Sequence, residues 1–195
     1  MQRLIFATGN PNKVREVNQL LEATSFRVES LREIGHTAEL EETQGTLEGN
    51  ALQKARFVRD TYGVDCFSED TGLEVDALNG APGADTAHYG GPERSDTANM
   101  NRLLTELDDR SDRGAQFRTV IALCYRGEEY LLEGIARGSI RRARSGAGGF
   151  GYDPVFQPDG FDRTFAELTK IEKNTISHRG QAVRALIELL GKLGA

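Results

Sequence analysis

The sequence predicts an α/β fold built on a mixed β-sheet that is flanked by helices. A short apolar run at Leu4–Ala7 is typical of a buried strand. Apolar residues then recur at helical spacing, at Val14, Val17, Leu20 and Leu21. Further along, the strand-like segments Phe117–Tyr125 and Glu129–Ile140 flank Arg126-Gly127-Glu128 and predict a hairpin. Strand–helix alternation at the start together with a hairpin in the middle indicates a mixed sheet.

The other elements follow from apolar stripes and from clusters of glycine and proline. Three further helices are predicted, at residues 46–62, at residues 95–107 and from about Ser177 onward. A short strand is predicted at Val64–Ser68, followed by a turn and then by Leu73-Glu74-Val75. Two glycine-rich loops are expected, one over residues 79–92 and one at Gly146–Gly151 that enters Tyr152–Phe156.

Length, charge and cysteine content restrict the class of protein. The 195 residues fit one domain, which is long enough to bury a core without staples. The 24 Lys and Arg against 30 Asp and Glu give a net charge of −6, which argues against a general nucleic-acid or membrane binder. Cys66 and Cys124 both lie in apolar runs and are predicted to be buried and reduced. Met1 leads directly into the first strand, so a cytosolic location is expected.

The loop after the first strand has the composition of a phosphate-binding turn. Asn10 suits a helix N-cap and Pro11 suits the first helical position. A helix N-terminus offers free N–H groups and a positive dipole end, and Lys13 adds a full charge in the first turn. The segment Thr8–Lys13 is not a P-loop, and an ordinary strand-to-helix turn is the alternative interpretation.

Two adjacent acids, Glu69 and Asp70, follow the predicted strand at Val64–Ser68 and precede Gly72. Carboxylates at a strand end suit a Mg²⁺ ion that keeps most of its waters and meets substrate phosphates. They also suit a general base that activates water. A capped β-turn is the alternative for this segment.

A third acidic segment, Glu41-Glu42-Thr43, precedes the helix that carries Asn50 and Lys54. These two residues are four apart and share one helix face. A solvated lysine is the ordinary interpretation of such a position.

Two later segments suit a flat ligand. Gly148–Asp153 places glycines around Phe150, so the backbone could approach a base while the ring stacks on it, and Asp153 could accept from a base edge. The alternative is a glycine-rich turn with Phe150 in the core. Lys173–Arg179 crowds cations at a helix start, which is better explained by an anion or a base than by the helix dipole, although a plain surface helix start is the alternative.

Seven motifs in order connect these segments to a known family. They are T-G-N-x-x-K from Thr8, E-E-T from Glu41, N-A-x-x-K-A from Asn50, G-A-P-G from Gly80, G-G-F-G-Y-D-P from Gly149, A-E-L-T from Ala166 and E-K-N-x-I-S-H-R-G from Glu172. Together they resemble the inosine triphosphate pyrophosphatase family, also called the XTP/dITP diphosphatases. The resemblance runs nearly end to end.

The resemblance implies a fold and a reaction. It implies a single two-lobed domain over residues 1–195, with two α/β lobes around a deep active-site cleft. It implies hydrolysis of dITP, ITP or XTP to the monophosphate and pyrophosphate by a Mg²⁺-dependent homodimer. Neither a nucleic acid nor a membrane is expected as a partner.

The resemblance also assigns roles to matched residues. Thr8, Gly9, Asn10, Lys13 and Lys54 would bind the phosphates. Glu42 and Asp70 would bind the metal, and Asp70 would be the base for the attacking water. Thr71, Phe150, Gly151, Tyr152, Asp153, Lys173, His178 and Arg179 would contact the substrate, with Phe150 stacking on the base and the last three reading a 6-oxo purine.

Two departures and two rival functions remain open. This chain has Glu69-Asp70-Thr71-Gly72 where the family usually shows D-D-S-G, and Thr86 and His88 replace the Ser and Arg of P-G-x-x-S-A-R-Y. A related pyrophosphatase acting on methylated pyrimidine triphosphates is one rival. A nucleotide-binding regulator without catalysis is the other.

Overall fold

The computed structural model describes residues 2–22 and 24–194. Its regular elements are β1 (Gln2–Phe6), α1 (Pro11–Leu21), β2 (Phe26–Ser30), α2 (Leu47–Tyr62), β3 (Cys66–Val75), β4 (Pro82–Gly83), α3 (Asp96–Glu106), β5 (Gly114–Tyr125), β6 (Glu128–Ile140), β7 (Phe156–Pro158), α4 (Lys170–Ile176) and α5 (His178–Lys192). In the described part of the chain, no helix is both long enough and apolar enough to cross a membrane.

The strands form one seven-stranded mixed sheet, as the sequence predicts. The strand order is β2-β1-β3-β5-β6-β7, and β4 pairs with β3. β1 is parallel to both β2 and β3, whereas β4 and β7 are antiparallel to β3 and β6. Arg126 and Gly127 connect β5 to β6 with φ of 51° and 86°. Such angles are typical of a tight hairpin turn, so the predicted hairpin is confirmed.

The chain divides into two compact units, and each has its own apolar core. The first unit comprises Met1–Asp70, Thr119–Gly134 and Gln181–Ala195. Side chains from β1, β2, α1, β5 and α5 fill its core, among them Phe6, Val17, Ile121 and Leu186. Phe6 stacks on Phe67 with ring centroids 4.4 Å apart. The predicted apolar stripes of α1 and α5 therefore face this core.

The second unit comprises Thr71–Arg118 and Ile135–Gly180. Its core combines Leu103 and Leu107 of the α3 region with Phe117, Phe156 and Phe165, whose rings pack against one another. Ser95 caps α3 by accepting from the Ala98 N–H at 3.3 Å, which confirms the predicted start of that helix.

Three sequence predictions need correction. β3 does not end at Ser68 but runs ten residues to Val75, so no turn separates it from Leu73. The helix α4 is absent from the sequence prediction, and the loop predicted over residues 79–92 contains the short strand β4. β3 continues through Glu69 and Asp70 because each acid has a cationic partner in the fold, so their charge does not end the strand. Cys66 and Cys124 are free and buried, as predicted.

Candidate active site

The loop after β1 forms the predicted turn into α1. The Asn10 N–H donates to the Thr8 hydroxyl at 3.2 Å, and the Val14 N–H donates to the Asn10 carbonyl at 3.3 Å. α1 begins at Pro11. Thr8, Gly9 and Asn10 thus lie at a helix N-terminus, where free N–H groups and the helix dipole favour an anion.

Lys13, in the first turn of α1, is held by a buried acid. Its ammonium lies 2.9 Å from Glu69 Oε1, and the Glu69 side chain is only 1% exposed. This contact joins the first turn of α1 to β3 and limits where the ammonium can lie.

Lys54 of α2 is the centre of the acidic cluster. Its side chain is 8% exposed, so the solvated-lysine interpretation is wrong. The ammonium donates to the Glu42 carboxylate, to the Glu69 carbonyl oxygen at 2.9 Å and to Asp70 Oδ1 at 3.4 Å. These three acceptors come from the loop before α2 and from β3, so one cation joins segments that are distant in sequence.

Asp70 is held through both of its oxygens. The Asn50 amide donates to Asp70 Oδ2 at 3.1 Å, while Lys54 contacts Oδ1. Burial raises the pKa of Asp70, and the nearby Glu42 raises it further, against the lowering effect of Lys54 and Asn50. A carboxylate with a raised pKa accepts a proton more readily than an exposed one, which suits a general base.

The donor set fits a hard divalent cation. Glu42 and Asp70 both contact the Lys54 ammonium and therefore converge on one point. Mg²⁺ is commonly held by one or two carboxylates, with waters and substrate phosphates completing its shell. Among the described residues, no group of three or more His, Cys, Asp or Glu could hold a metal. The two acids therefore suit a cation that is shared with a phosphorylated ligand.

Phe150 belongs to an exposed glycine loop of the second unit. Its side chain is 57% exposed, so its placement in the core is wrong. Gly149 and Gly151 have φ of 74° and 61°, and a Cβ on Gly149 would lie 2.0 Å from Asp153 Oδ2. Position 149 therefore requires glycine both because its φ is positive and because a Cβ there would clash with Asp153.

Two cations lie over the Phe150 ring. The Lys173 ammonium is 5.0 Å from the ring centroid, and the Arg179 guanidinium carbon is 5.8 Å from it. Lys173 also forms an ion pair with Asp153 Oδ2 at 2.5 Å. His178, the first residue of α5, is buried and stacks on Phe117 with centroids 4.7 Å apart. An exposed aromatic face under two fixed cations suits a flat ligand with acceptor atoms.

Tyr152 and Asp153 face inward rather than toward solvent. Tyr152 lies in the core of the second unit, and its hydroxyl donates to the Thr86 carbonyl at 2.9 Å. Burial raises the pKa of this phenol, so it stays protonated and donates. Asp153 Oδ2 accepts from the Phe150 N–H at 2.9 Å as well as from Lys173. These contacts support the loop from behind.

The predicted site residues lie in two sets, one in each unit. Thr8, Gly9, Asn10, Lys13, Glu42, Lys54 and Asp70 belong to the first unit. Thr71, Phe150, Gly151, Tyr152, Asp153, Lys173, His178 and Arg179 belong to the second. Asn50 shares a helix face with Lys54 and has no role in the motif resemblance, and its contact with Asp70 supplies one.

Thr86 and His88, the two replaced residues of the second departing motif, each have hydrogen-bond partners. The Thr86 hydroxyl accepts from the Leu73 N–H at 2.8 Å and donates to the Gly83 carbonyl at 2.5 Å, as a serine could. His88 Nε2 accepts a hydrogen bond from Arg94 Nε at 2.8 Å. A guanidinium therefore lies next to the histidine that replaces the family's arginine.

Known proteins match nearly the whole chain. A family model described as the Ham1 family matches residues 4–189. The chain is 50% identical to the dITP/XTP pyrophosphatase of Flavobacterium psychrophilum over 95% of this chain and 97% of that protein. It is 43% identical to the dITP/XTP pyrophosphatase of Bacillus subtilis over 97% of this chain and 98% of that protein.

Solved structures are similar in fold over nearly the whole chain. The Ham1 protein of Staphylococcus aureus superposes with a TM-score of 0.91 at 34% identity, covering 98% of this chain and 99% of that one. A HAM1 protein from Coxiella burnetii gives a TM-score of 0.93 at 36% identity, covering 98% and 100%. The motif resemblance is therefore confirmed, and the chain belongs to the Ham1 family.

Proposed function

We propose that this protein hydrolyses non-standard purine nucleoside triphosphates, namely dITP, ITP and XTP, to the nucleoside monophosphate and pyrophosphate. The observation that carries the proposal is Asp70, a partly buried carboxylate that is held through both oxygens and whose pKa is raised by burial. The relatives named dITP/XTP pyrophosphatase support the choice of substrate.

Asp70 would take the proton from the attacking water. Asn50 and Lys54 orient its two oxygens, and burial keeps the protonated form accessible. A divalent cation, which we propose is Mg²⁺ bound by Glu42 and Asp70, would supply charge neutralisation at the phosphates when bound. Lys54 already holds these two carboxylates together in the free protein.

The phosphates would bind at the start of α1. The N–H groups around Asn10 and the ammonium of Lys13 provide donors there, and Glu69 keeps Lys13 oriented. Lys54 is the second cation assigned to the phosphates. Both ammonium groups are paired with carboxylates in the free protein, Lys13 with Glu69 and Lys54 with Glu42 and Asp70. The positive charge that a triphosphate needs would therefore come from these lysines together with the proposed Mg²⁺.

The base would bind on Phe150. Hypoxanthine and xanthine carry an acceptor at position six, where adenine carries an amino donor. Lys173 and Arg179, which lie over the ring, can only donate, so adenine's amino group would meet no acceptor among them. His178 is the third residue that the motif resemblance assigns to recognition of the base.

The remaining expectations concern the assembly and the cell. We infer that residues 1–195 act as one catalytic domain, because the family model spans residues 4–189. A homodimer and a cytoplasmic location stay predictions. Sedimentation or light scattering of the purified protein tests the first.

A pyrophosphate-release assay tests the function. The panel contains dITP, ITP, XTP, dATP, dGTP and methylated dTTP analogues, each with Mg²⁺ and with chelator. We expect turnover of dITP, ITP and XTP to exceed that of dATP and to require the metal. Turnover of only the pyrimidine analogues would support the first rival function, and binding without pyrophosphate release would support the regulator.

A further inference from the structure

The loop Gly148–Asp153 is here named the platform loop. Two successive N–H groups of this loop each donate to a carboxylate of the second unit. The Phe150 N–H donates to Asp153 Oδ2 at 2.9 Å. The next N–H, that of Gly151, donates to Asp96 Oδ2 at 2.7 Å. Asp153 lies within the loop itself, whereas Asp96 is the first residue of α3, 55 positions away.

The platform loop is also held at both ends, where the Gly148 N–H donates to the Ala166 carbonyl at 3.2 Å and Tyr152 is buried. The Phe150 ring is more than half exposed, so core packing does not fix its orientation. Gly149 and Gly151 flank it with positive φ, and glycine restricts the backbone less than any other residue. The direction of the ring therefore depends on the hydrogen bonds that hold the loop backbone and on the two cations over the ring, Lys173 and Arg179.

Helix α3 is a firm support for such a bond. Ser95 caps it, and Met100 and Leu103 are buried in the core of the second unit. The chain leading to the platform loop is bound to the same helix, because Arg144 donates to the Thr97 carbonyl at 3.2 Å and to Asn101 Oδ1 at 2.6 Å. Asp96 thus completes a set of contacts between one rigid helix and one glycine-rich segment.

We propose that Asp96 is a positioning residue that holds the platform loop so that Phe150 is oriented before a base arrives. This inference rests on the proposed function for the identity of the base, but the positioning itself does not. Without the Asp96 bond, the loop would have to be ordered during binding, and that cost reduces affinity. Because Asp96 is assigned no part in proton transfer, the loss is expected in KM rather than in kcat.

A single-tryptophan reporter tests the positioning directly. The chain contains no tryptophan, so Phe150→Trp introduces one fluorophore at the loop. Asp96→Ala in this background is expected to lower the fluorescence anisotropy and increase acrylamide quenching with no nucleotide present. Ser95→Ala is the matched control, because it weakens the start of the same helix without touching the Gly151 N–H.

Kinetics with Phe150 intact test the consequence. We expect Asp96→Ala to raise KM for ITP by roughly three- to tenfold with kcat within about twofold, as for the ordering of one side chain. Asp96→Asn keeps a carbonyl acceptor and is expected to recover most of the affinity. Ser95→Ala, at an equal or larger loss of Tm, is expected to leave KM unchanged.

Two results would overturn the inference. One is an unchanged anisotropy in Asp96→Ala, and the other is the same change in Ser95→Ala, which would reduce Asp96 to a helix-stabilising residue. The optical measurement needs no substrate, so a protein that fails to hydrolyse ITP would refute the proposed function while the anisotropy still decides the role of Asp96.

Discussion

Replacing Asp70 with asparagine separates the catalytic role of this carboxylate from any structural one. The substitution keeps the size of the side chain and an oxygen that can accept from Asn50 or Lys54. It removes the negative charge and the capacity to take a proton from water. Loss of a general base costs about 10²–10⁴ in rate, so we expect turnover of dITP to fall by at least about a hundredfold.

The structure also predicts what Asp70→Asn does to stability. The pKa of Asp70 is raised in the fold, mainly by burial. An acid whose folded pKa exceeds its unfolded value destabilises the fold once the pH rises above both, because ionisation is then easier in the unfolded chain. Removing this charge at pH 7 should leave Tm equal to or above that of the parent.

The assay is pyrophosphate release from dITP with Mg²⁺, alongside thermal unfolding of both proteins at pH 7. A domain of this size shifts Tm by about 2–4 °C for each kcal/mol. Near-parental turnover would refute the catalytic assignment. A fall in Tm of more than about 4 °C would show instead that Asp70 mainly stabilises the fold. Asn50→Ala serves as the comparison, since it removes one partner of Asp70 but keeps the base.

Three further predictions concern phosphate binding, base selection and pH. Lys13→Ala and Lys54→Ala should weaken the binding of ITP far more than the binding of the product IMP, because both cations are assigned to phosphates that leave as pyrophosphate. IMP inhibition of each variant measures the binding of the product. Equal losses for ITP and IMP would assign both lysines to the nucleoside end. Arg179→Ala should lower the ratio of kcat/KM for ITP to that for ATP by roughly ten- to a hundredfold, since a desolvated charged hydrogen bond is worth about 1.5–3 kcal/mol; an unchanged ratio would place base recognition elsewhere. Glu129 accepts from two arginines of α2, which lower its pKa to about 2 from 4.5. This stabilisation is present above the unfolded pKa and is lost as the pH falls toward about 2. Glu129→Gln should therefore lower Tm at pH 7 by the equivalent of about 1 kcal/mol, and the difference in Tm between parent and variant should shrink below pH 4. A difference in Tm that stays constant with pH would contradict the electrostatic cause.

Local signals in the sequence were reliable where neighbouring residues decide the structure. The start of α1 at Pro11, the cap of α3 at Ser95 and the turn at Arg126-Gly127 follow from backbone and capping preferences that act over a few residues. The apolar stripes of α1 and α5 likewise identified the faces that are buried. The motif resemblance identified the family because seven short segments kept their order and spacing.

Distant contacts decided the features that the sequence analysis missed. Two acids inside β3 predicted the end of a strand, but Lys13 and Lys54 neutralise them and the strand continues. Lys54 had the pattern of a solvated residue, and only its three acceptors from other segments make its burial possible.

The amino-acid sequence by itself determined the class of fold, the family and the chemical types of the site residues, since these depend on local preference and on motif spacing. Tertiary structure alone decided which of those residues come together and what each of them contacts. The resemblance assigns a role to both Asp70 and Asp153, yet the fold holds Asp70 through both oxygens beside a second carboxylate and uses Asp153 to hold Lys173 and the Phe150 backbone. The physical reason is that burial, pKa and hydrogen-bond partners arise from residues dozens of positions away, as the bond between Asp96 and the Gly151 N–H also shows.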